Sequence, residues 1–425
     1  MKRTIWSKLL AWKNDKDRKP LIINGARQVG KTWLMQEFGK MEYEDVIYLN
    51  CDDEPRAAQL FATDYDMKRI LLQLQAISHI IPRPGKTLII LDEIQAVPRG
   101  LASLKYFYEK IPQHHVMVAG SMLGIALHEG TSFPVGKVDM LTLYPMDFRE
   151  FLMAMGHEDW AQWIIEQRWD VLNLISNKLV DMLRQYYFTG GMPGVVVKYV
   201  VNRDLGQVRQ LQYLLIEAYR NDISKHAPLE QVPRINMVMR SIPSQLAKDN
   251  KKFIYGVLKP GARAREYELA IQWLLDCGIL YKVSRVSEVN APLAFYEDLS
   301  AFKLYFLDCG LFAALAGADS DQMLIGNNVF KDFKGAFTEQ YVLQQLLCHG
   351  FRDIYYWTNA ATAEVDFVVQ RDGHAIPIEV KAEGNVKAKS LRMLVDAYPG
   401  LHGVRYSMLD YKEQDWVTNY PLYSA

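Results

Sequence analysis

The chain has 425 residues and balances 49 lysines and arginines against 49 aspartates and glutamates, for a formal net charge of zero. That length exceeds one ordinary core, so two or three domains are expected, and the neutral balance excludes bulk positive charge as a means of holding nucleic acid. With half its residues hydrophobic and 23% charged, the composition is that of a globular protein and not of a disordered one. Four scattered cysteines (Cys51, Cys277, Cys309, Cys348) form no C-x-x-C pair, which favours buried thiols in a reducing cytoplasm over disulfides or zinc. Met1–Lys19 lacks the apolar stretch of a signal peptide, and no run of about 18 apolar residues is present, so no membrane partner is expected.

The apolar run Leu21-Ile22-Ile23 predicts a strand, and Trp33–Phe38 a helix. Between them lies Gly25-Ala26-Arg27-Gln28-Val29-Gly30-Lys31-Thr32, a complete G-x-x-x-x-G-K-[ST] phosphate-binding loop. Gly25 and Gly30 let backbone N–H groups approach an anion at the helix N-terminus. Lys31 is placed to reach the β- and γ-phosphates of ATP, and the Thr32 hydroxyl to sit on Mg²⁺. Val46–Leu49 predicts a second strand, Met67–Ile80 a helix, and Thr87–Leu91 a strand buried on both faces. The last ends in Asp92-Glu93, expected to hold Mg²⁺ through water (Asp92) and to polarise the attacking water (Glu93). Val116–Ala119 leads into Gly120-Ser121, where Ser121 either senses the γ-phosphate or caps the next turn. Strands alternating with helices argue for a doubly wound parallel sheet.

These residues resemble the prokaryotic AAA-type P-loop ATPases that carry an uncharacterised C-terminal region. The matching stretches are the loop, Leu91-Asp92-Glu93-Ile94-Gln95, Ala119-Gly120-Ser121, and the segment from Leu143 to Phe151. The resemblance implies an oligomeric ATPase in which Arg149 is either a finger reaching a neighbour's site or a surface pair with Glu150.

Trp160–Tyr187 has helical spacing and ends at the breaker cluster Gly190-Gly191-Met192-Pro193-Gly194. In the resembled ATPases such a turn lies beside the nucleotide; a plain interdomain turn fits equally. Leu205–Ile223 predicts a helix, Ser224–Val232 a loop, and Glu266–Leu275 a helix followed by a β-rich stretch, the outline of a winged helix. Lys248, Lys251, Lys252, Lys259, Arg263 and Arg265 precede it, either as a DNA-contacting patch or as a solvated face.

Glu364–Val369, the turn Gln370–Gly373 and Ile376–Lys381 predict a β-hairpin, with Glu379 and Lys381 on one face and Asp366 on the facing strand. Glu339 lies upstream on a helix. Two carboxylates on a divalent metal with a nearby lysine can promote phosphodiester hydrolysis. The set Glu339, Asp366, Glu379 and Lys381 resembles the PD-(D/E)XK restriction-endonuclease-like fold, which implies catalytic roles for all four and metal ligation by Asp366 and Glu379. Fold does not supply activity, so a non-cleaving binding surface stands beside the nuclease reading.

The expected architecture is α/β throughout: an AAA-type ATPase core with helical lid over 1–188, a helical and winged-helix region over 189–300, and a restriction-endonuclease-like domain over 301–425. The expected function is an ATP-driven switch acting on DNA or on a partner, with a nuclease-like tail, or else a nucleotide-dependent scaffold or signalling module, with ATP and Mg²⁺ as cofactors and a homo-oligomer as the expected assembly.

Overall fold

The structure, a computed structural model, describes residues 2–120, 133–248, 250–319, 334–359, 363–382 and 387–425. These fall into two compact units, one of Lys2–Tyr144 with Asp276–Gly278, the other of Pro145–Leu275 with Ile279–Ala425.

The N-terminal unit is built on five strands, β1 (Leu21–Asn24), β2 (Asp45–Asn50), β3 (Thr87–Asp92), β4 (His115–Ala119) and β5 (Asp139–Thr142). They pair side by side as β2-β3-β4-β1-β5, every pair parallel. Parallel strands cannot be joined by tight turns, so helices such as Lys31–Glu42, Met67–Ser78 and Gly100–Lys110 carry the crossovers. All six residues of β3 and all five of β4 are buried, as strands covered on both faces require. One face packs Ile47, Ile89, Leu91, Val116 and Val118 against Ile70, Leu74, Leu104 and Phe107. Asp66 opens the Met67–Ser78 helix by accepting the Lys68 N–H.

The larger unit begins with helices and ends in an eight-stranded mixed sheet. Its strands are β6 (Leu280–Val286), β7 (Glu297–Phe306), β8 (Tyr355–Thr358), β9 (Glu364–Arg371), β10 (His374–Val380), β11 (Gly403–Ser407), β12 (Lys412–Glu413) and β13 (Val417–Pro421). Their order is β12-β13-β11-β10-β9-β8-β6-β7. The hairpin expected at Glu364–Lys381 is β9–β10, turning at Asp372 and Gly373, both at positive φ. The β-rich stretch expected to be a wing supplies β6 and β7, and β7 is the outer strand of this sheet. The helix Lys334–Cys348 packs on β7 and β10, and the helix Lys389–Ala397 on β9, β10 and β11.

The single amphipathic helix read over Trp160–Tyr187 is instead broken into Glu158–Ile165, Trp169–Leu172, a 3-10 turn and Ser176–Thr189. Gln167, at a φ of 52°, takes a left-handed backbone that interrupts the helix between the first two pieces; helical spacing alone did not reveal this. A further helix, Val232–Leu246, starts where a loop had been expected to end.

Gly190, Gly191 and Met192, which follow Ser176–Thr189, lie in the core of this larger unit, while Gly194 is exposed. Asp308 caps the helix Cys309–Leu315 through the Leu311 N–H at 2.9 Å, and its other oxygen accepts the Gly191 N–H at 2.6 Å. Gly190, at φ 70°, and Gly310 allow this close approach. A Cβ on Gly191 would meet the Met146 carbonyl oxygen at 2.0 Å. Gly191→Ala should therefore lower stability by about 3 kcal/mol, the upper end for overpacking, as read by denaturant unfolding.

Candidate functional site

The N-terminal unit brings its expected residues together around the loop that follows β1. Gly25 leaves the strand at φ 144°, where a Cβ would strike the Leu143 carbonyl oxygen at 2.2 Å, and Gly30 enters the helix at φ 95°. Between them Ala26 and Val29 are buried, while Arg27 and Gln28 face outward, Gln28 also at positive φ. Lys31 is buried and donates to the carbonyls of Gly25 and Ala26, both at 2.8 Å, so its ammonium folds back over the loop. Burial pulls it down to about 8, opposed by Glu93 and Asp92.

Thr32, exposed at the start of the helix, donates its hydroxyl to Asp92 at 2.5 Å, although 60 residues separate them in the chain. Asp92 is buried at the end of β3 and also accepts from Tyr48 at 3.2 Å. Glu93 sits at φ 49°, off the strand, and accepts from Gln95 Nε2 at 2.6 Å. A hydroxyl and a carboxylate in contact form a hard-oxygen pair suited to Mg²⁺. Ser121 lies outside the described residues, but the strand leading to it, β4, lies between β3 and β1.

One residue at this site was not foreseen. Arg3 is buried and donates to the Val29 carbonyl at 3.0 Å and the Tyr144 carbonyl at 2.7 Å. It ties the loop to the segment after β5. Nothing local marks it, because an arginine near a charged N-terminus reads as solvated.

Arg149 belongs to the larger unit, on the helix Phe148–Ala154. Its guanidinium is held by its own Asp147 at 2.8 and 3.3 Å, with His349 3.7 Å from the same carboxylate. Glu150, the pairing partner considered from sequence, instead closes a capping box with Asp147.

The larger unit gathers Glu339, Asp366, Glu379 and Lys381, all but Lys381 buried. Lys381 pairs with Glu379, and Asp366 accepts the Val380 N–H at 2.8 Å. Glu339, from its helix, accepts from Tyr305 at 3.1 Å. Two members were not anticipated. Lys303 is wholly buried on β7 and lies 2.5 Å from Glu364 and 4.0 Å from Glu339. Lys251, read as part of a basic surface patch, instead pairs with Glu339, while Lys248, Lys259, Arg263 and Arg265 stay exposed.

Burial, with Glu339 and Glu379 nearby, pushes the Asp366 carboxyl well above its usual range. Burial also raises Glu379, against the pull of Lys381. Burial acts upward on Glu339 as well, but Lys251 and Lys303 outweigh it and hold that carboxyl below its usual range. Among the described residues, no group of three or more histidines, cysteines or acids is placed to hold a metal.

Comparison with known families matches residues 17–152 to an AAA domain. Residues 180–322 match a domain of unknown function (DUF8612), and residues 334–424 a second one (DUF4143). The N-terminal parallel sheet is thus consistent with a P-loop ATPase fold, while the match over 334–424 assigns no chemistry to the carboxylate cluster. No curated protein matches the chain. Among solved structures, a Walker-type ATPase of Pyrococcus abyssi aligns at 15% identity over 74% of this chain and 95% of its own, with a TM-score of 0.47. A RuvB mutant of Thermotoga maritima aligns at 14% identity over 65% and 88%, TM-score 0.32. Drosophila ORC bound to DNA aligns at 15% over 70% and 89%, TM-score 0.27. Among the described residues no helix is long and apolar enough to cross a membrane.

The opposite directions of Asp366 and Glu339 give them opposite sensitivities. Asp366 has a raised folded pKa, so its contribution to stability is complete below the unfolded pKa and lost as pH climbs through the folded value. Asp366→Asn should match wild-type stability in acid, below the unfolded pKa of the carboxyl, and exceed it increasingly as pH rises from there towards the raised folded value. Glu339 contributes above its unfolded pKa and loses that contribution as pH falls through the lowered folded value. Glu339→Gln should cost about 3 kcal/mol at neutral pH, the low end for breaking a buried pair, because Asp366 can then ionise in its place. Denaturant melts of both variants between acid and alkaline pH read the contrast.

Proposed function

We propose that the N-terminal unit binds ATP together with Mg²⁺ and hydrolyses it. The observation that carries this reading is the contact between Thr32 and the buried Asp92, which sets a hydroxyl from the start of the helix Lys31–Glu42 and a carboxylate from the end of β3 beside the glycine loop. The backbone N–H groups of the loop and of the first helical turn cradle the phosphates. Lys31 releases the Gly25 and Ala26 carbonyls and turns its ammonium to the β- and γ-phosphates. Thr32 and Asp92 would hold Mg²⁺, which supplies neutralising charge on the phosphates. Glu93, held by Gln95, orients and polarises the attacking water.

For the larger unit, a nuclease and a non-cleaving binding surface remain distinct readings. The lysine set against each of Glu339, Glu364 and Glu379 favours the second. ATP turnover then serves as a switch, and DNA acts as a partner through surface contacts such as Lys248, Lys259, Arg263 and Arg265.

Lys31→Ala should abolish ATP binding or weaken it at least tenfold, whereas Glu93→Gln should bind ATP normally and turn it over at least a hundredfold more slowly. Isothermal titration and a phosphate-release assay with and without duplex DNA separate these effects. A wild type with no ATP affinity would refute the reading, and DNA-stimulated turnover would support the switch on DNA over the scaffold.

We further propose that the active assembly is a homo-oligomer in which Arg149 exchanges Asp147 for a neighbour's γ-phosphate. Turnover per subunit should then rise with protein concentration, and Arg149→Ala should lower it at least tenfold while sparing ATP affinity. Concentration-independent turnover with an unaffected variant would remove the finger.

A further inference from the structure

The first residues of the chain reach the phosphate loop from outside it. Arg3 precedes the helix Trp6–Asn14, and its carbonyl accepts the Trp6 N–H at 3.0 Å. Leu9 and Trp12 of that helix are buried, and Trp6 meets Phe38 of the helix Lys31–Glu42 edge to face, ring centroids 5.2 Å apart. This packing brings the buried Arg3 side chain to the loop. One terminal nitrogen of its guanidinium donates to the Val29 carbonyl at 3.0 Å, the other to the Tyr144 carbonyl at 2.7 Å. A planar guanidinium holds two acceptors in fixed directions at once, which the point charge of an ammonium cannot do.

Among the described residues, Arg3 is the hydrogen-bond partner of the Val29 carbonyl, and the Gly30 N–H of the same peptide donates to none. A trans peptide points its carbonyl and its N–H in opposite directions, so an oxygen held against Arg3 turns the Gly30 N–H away from it. Gln28 at φ 63° and Gly30 at φ 95° flank Val29, the alternating backbone in which successive N–H groups converge on an anion. A charged donor on the carbonyl also polarises the peptide and makes its N–H a stronger donor. Lys31 must leave the Gly25 and Ala26 carbonyls to meet a phosphate, whereas Arg3 can keep Val29 throughout.

We propose that Arg3 is a positioning residue for the phosphate site: by holding the Val29 carbonyl it presets the Val29–Gly30 peptide, with its N–H aimed at the bound phosphates. The inference rests on the ATP-binding reading of the N-terminal unit and adds to it a residue from outside the loop. Arg3 acts through that one peptide, without contact with the nucleotide. Its second bond, to Tyr144, fixes the guanidinium so that the direction of the first cannot drift.

The test uses the full chain and nuclear magnetic resonance. The sequence holds two Val-Gly pairs, Val29-Gly30 and Val135-Gly136. Protein labelled with carbonyl-¹³C valine and ¹⁵N glycine therefore gives two linked amide signals, and Val135→Ala, at a position 80% exposed, removes the second. In the wild type the Val29 carbonyl carbon should lie downfield, as for an oxygen on a charged donor, both before and after ADP and Mg²⁺ are added. The Gly30 amide proton should move downfield only on their addition. Arg3→Met keeps the length of the stem and Arg3→Lys keeps the charge. Each should lose the proton shift and bind ATP about tenfold more weakly or worse by calorimetry, the loss expected for one hydrogen bond to a charged group. A wild-type carbonyl carbon that reaches its downfield position only with ADP, or never, overturns the presetting, whether or not the variants fold. Full ATP affinity in a folded Arg3→Met or Arg3→Lys also refutes it, leaving a structural or merely charged side chain. A wild type that binds neither ADP nor ATP instead removes the reading on which the proposal rests.

Discussion

The larger unit depends on one constraint: the helix Lys334–Cys348 is buried on nearly every side yet carries Glu339, Gln340, Gln344 and Gln345. A polar group taken from water must be paired, so each of these side chains fixes a different part of the chain. Gln340 exchanges two hydrogen bonds with the backbone of Phe306 at the end of β7. Gln344 takes the Cys309 N–H and donates to the Tyr186 hydroxyl, and Gln345 takes the Phe148 N–H. Glu339, one turn earlier, gathers Lys251 and Tyr305. A uniformly apolar helix could slide or rotate among its neighbours; this one has a single register. Such specificity costs stability at every unpaired atom, which is why the pairing is nearly complete.

Asp308 extends the same logic to the backbone. Its carboxyl is fully buried, and burial raises it, while the N–H groups of Gly191 and Leu311 and the amide of Gln344 favour its ionised form. The glycines at 190, 191 and 310 exist to let that carboxyl and these chains meet. The Gly190–Gly194 turn and the Leu304–Leu311 segment therefore form one packed unit, although more than a hundred residues separate them.

Buried lysines mark both candidate sites, with different consequences. In the N-terminal unit Lys31 rests on two carbonyls, neutral partners that an ammonium gives up readily for phosphate. In the larger unit Lys251 and Lys303 rest on carboxylates, charged partners that hold an ammonium more strongly than carbonyls do.

The proposed nucleotide site was legible because its residues are contiguous or locally framed. Gly25 to Thr32 is a single stretch, and Asp92-Glu93 ends an apolar run of the kind expected for a parallel strand buried on both faces. Period-two alternation likewise exposed the β9–β10 hairpin and put Asp366 beside Glu379. What stayed hidden depends on contacts distant in the chain. Arg3 reaches Val29 and Tyr144, and Lys251 reaches Glu339 across 88 residues. Local pattern cannot tell a lysine on a surface from one drawn inward, because its residue type and neighbours are the same in both. The amino-acid sequence thus determined where the buried strands run and which segment carries the glycine loop. Only the tertiary structure decided which charges are buried and with whom, because pairing in a low-dielectric interior is settled by the whole fold and not by any window of it.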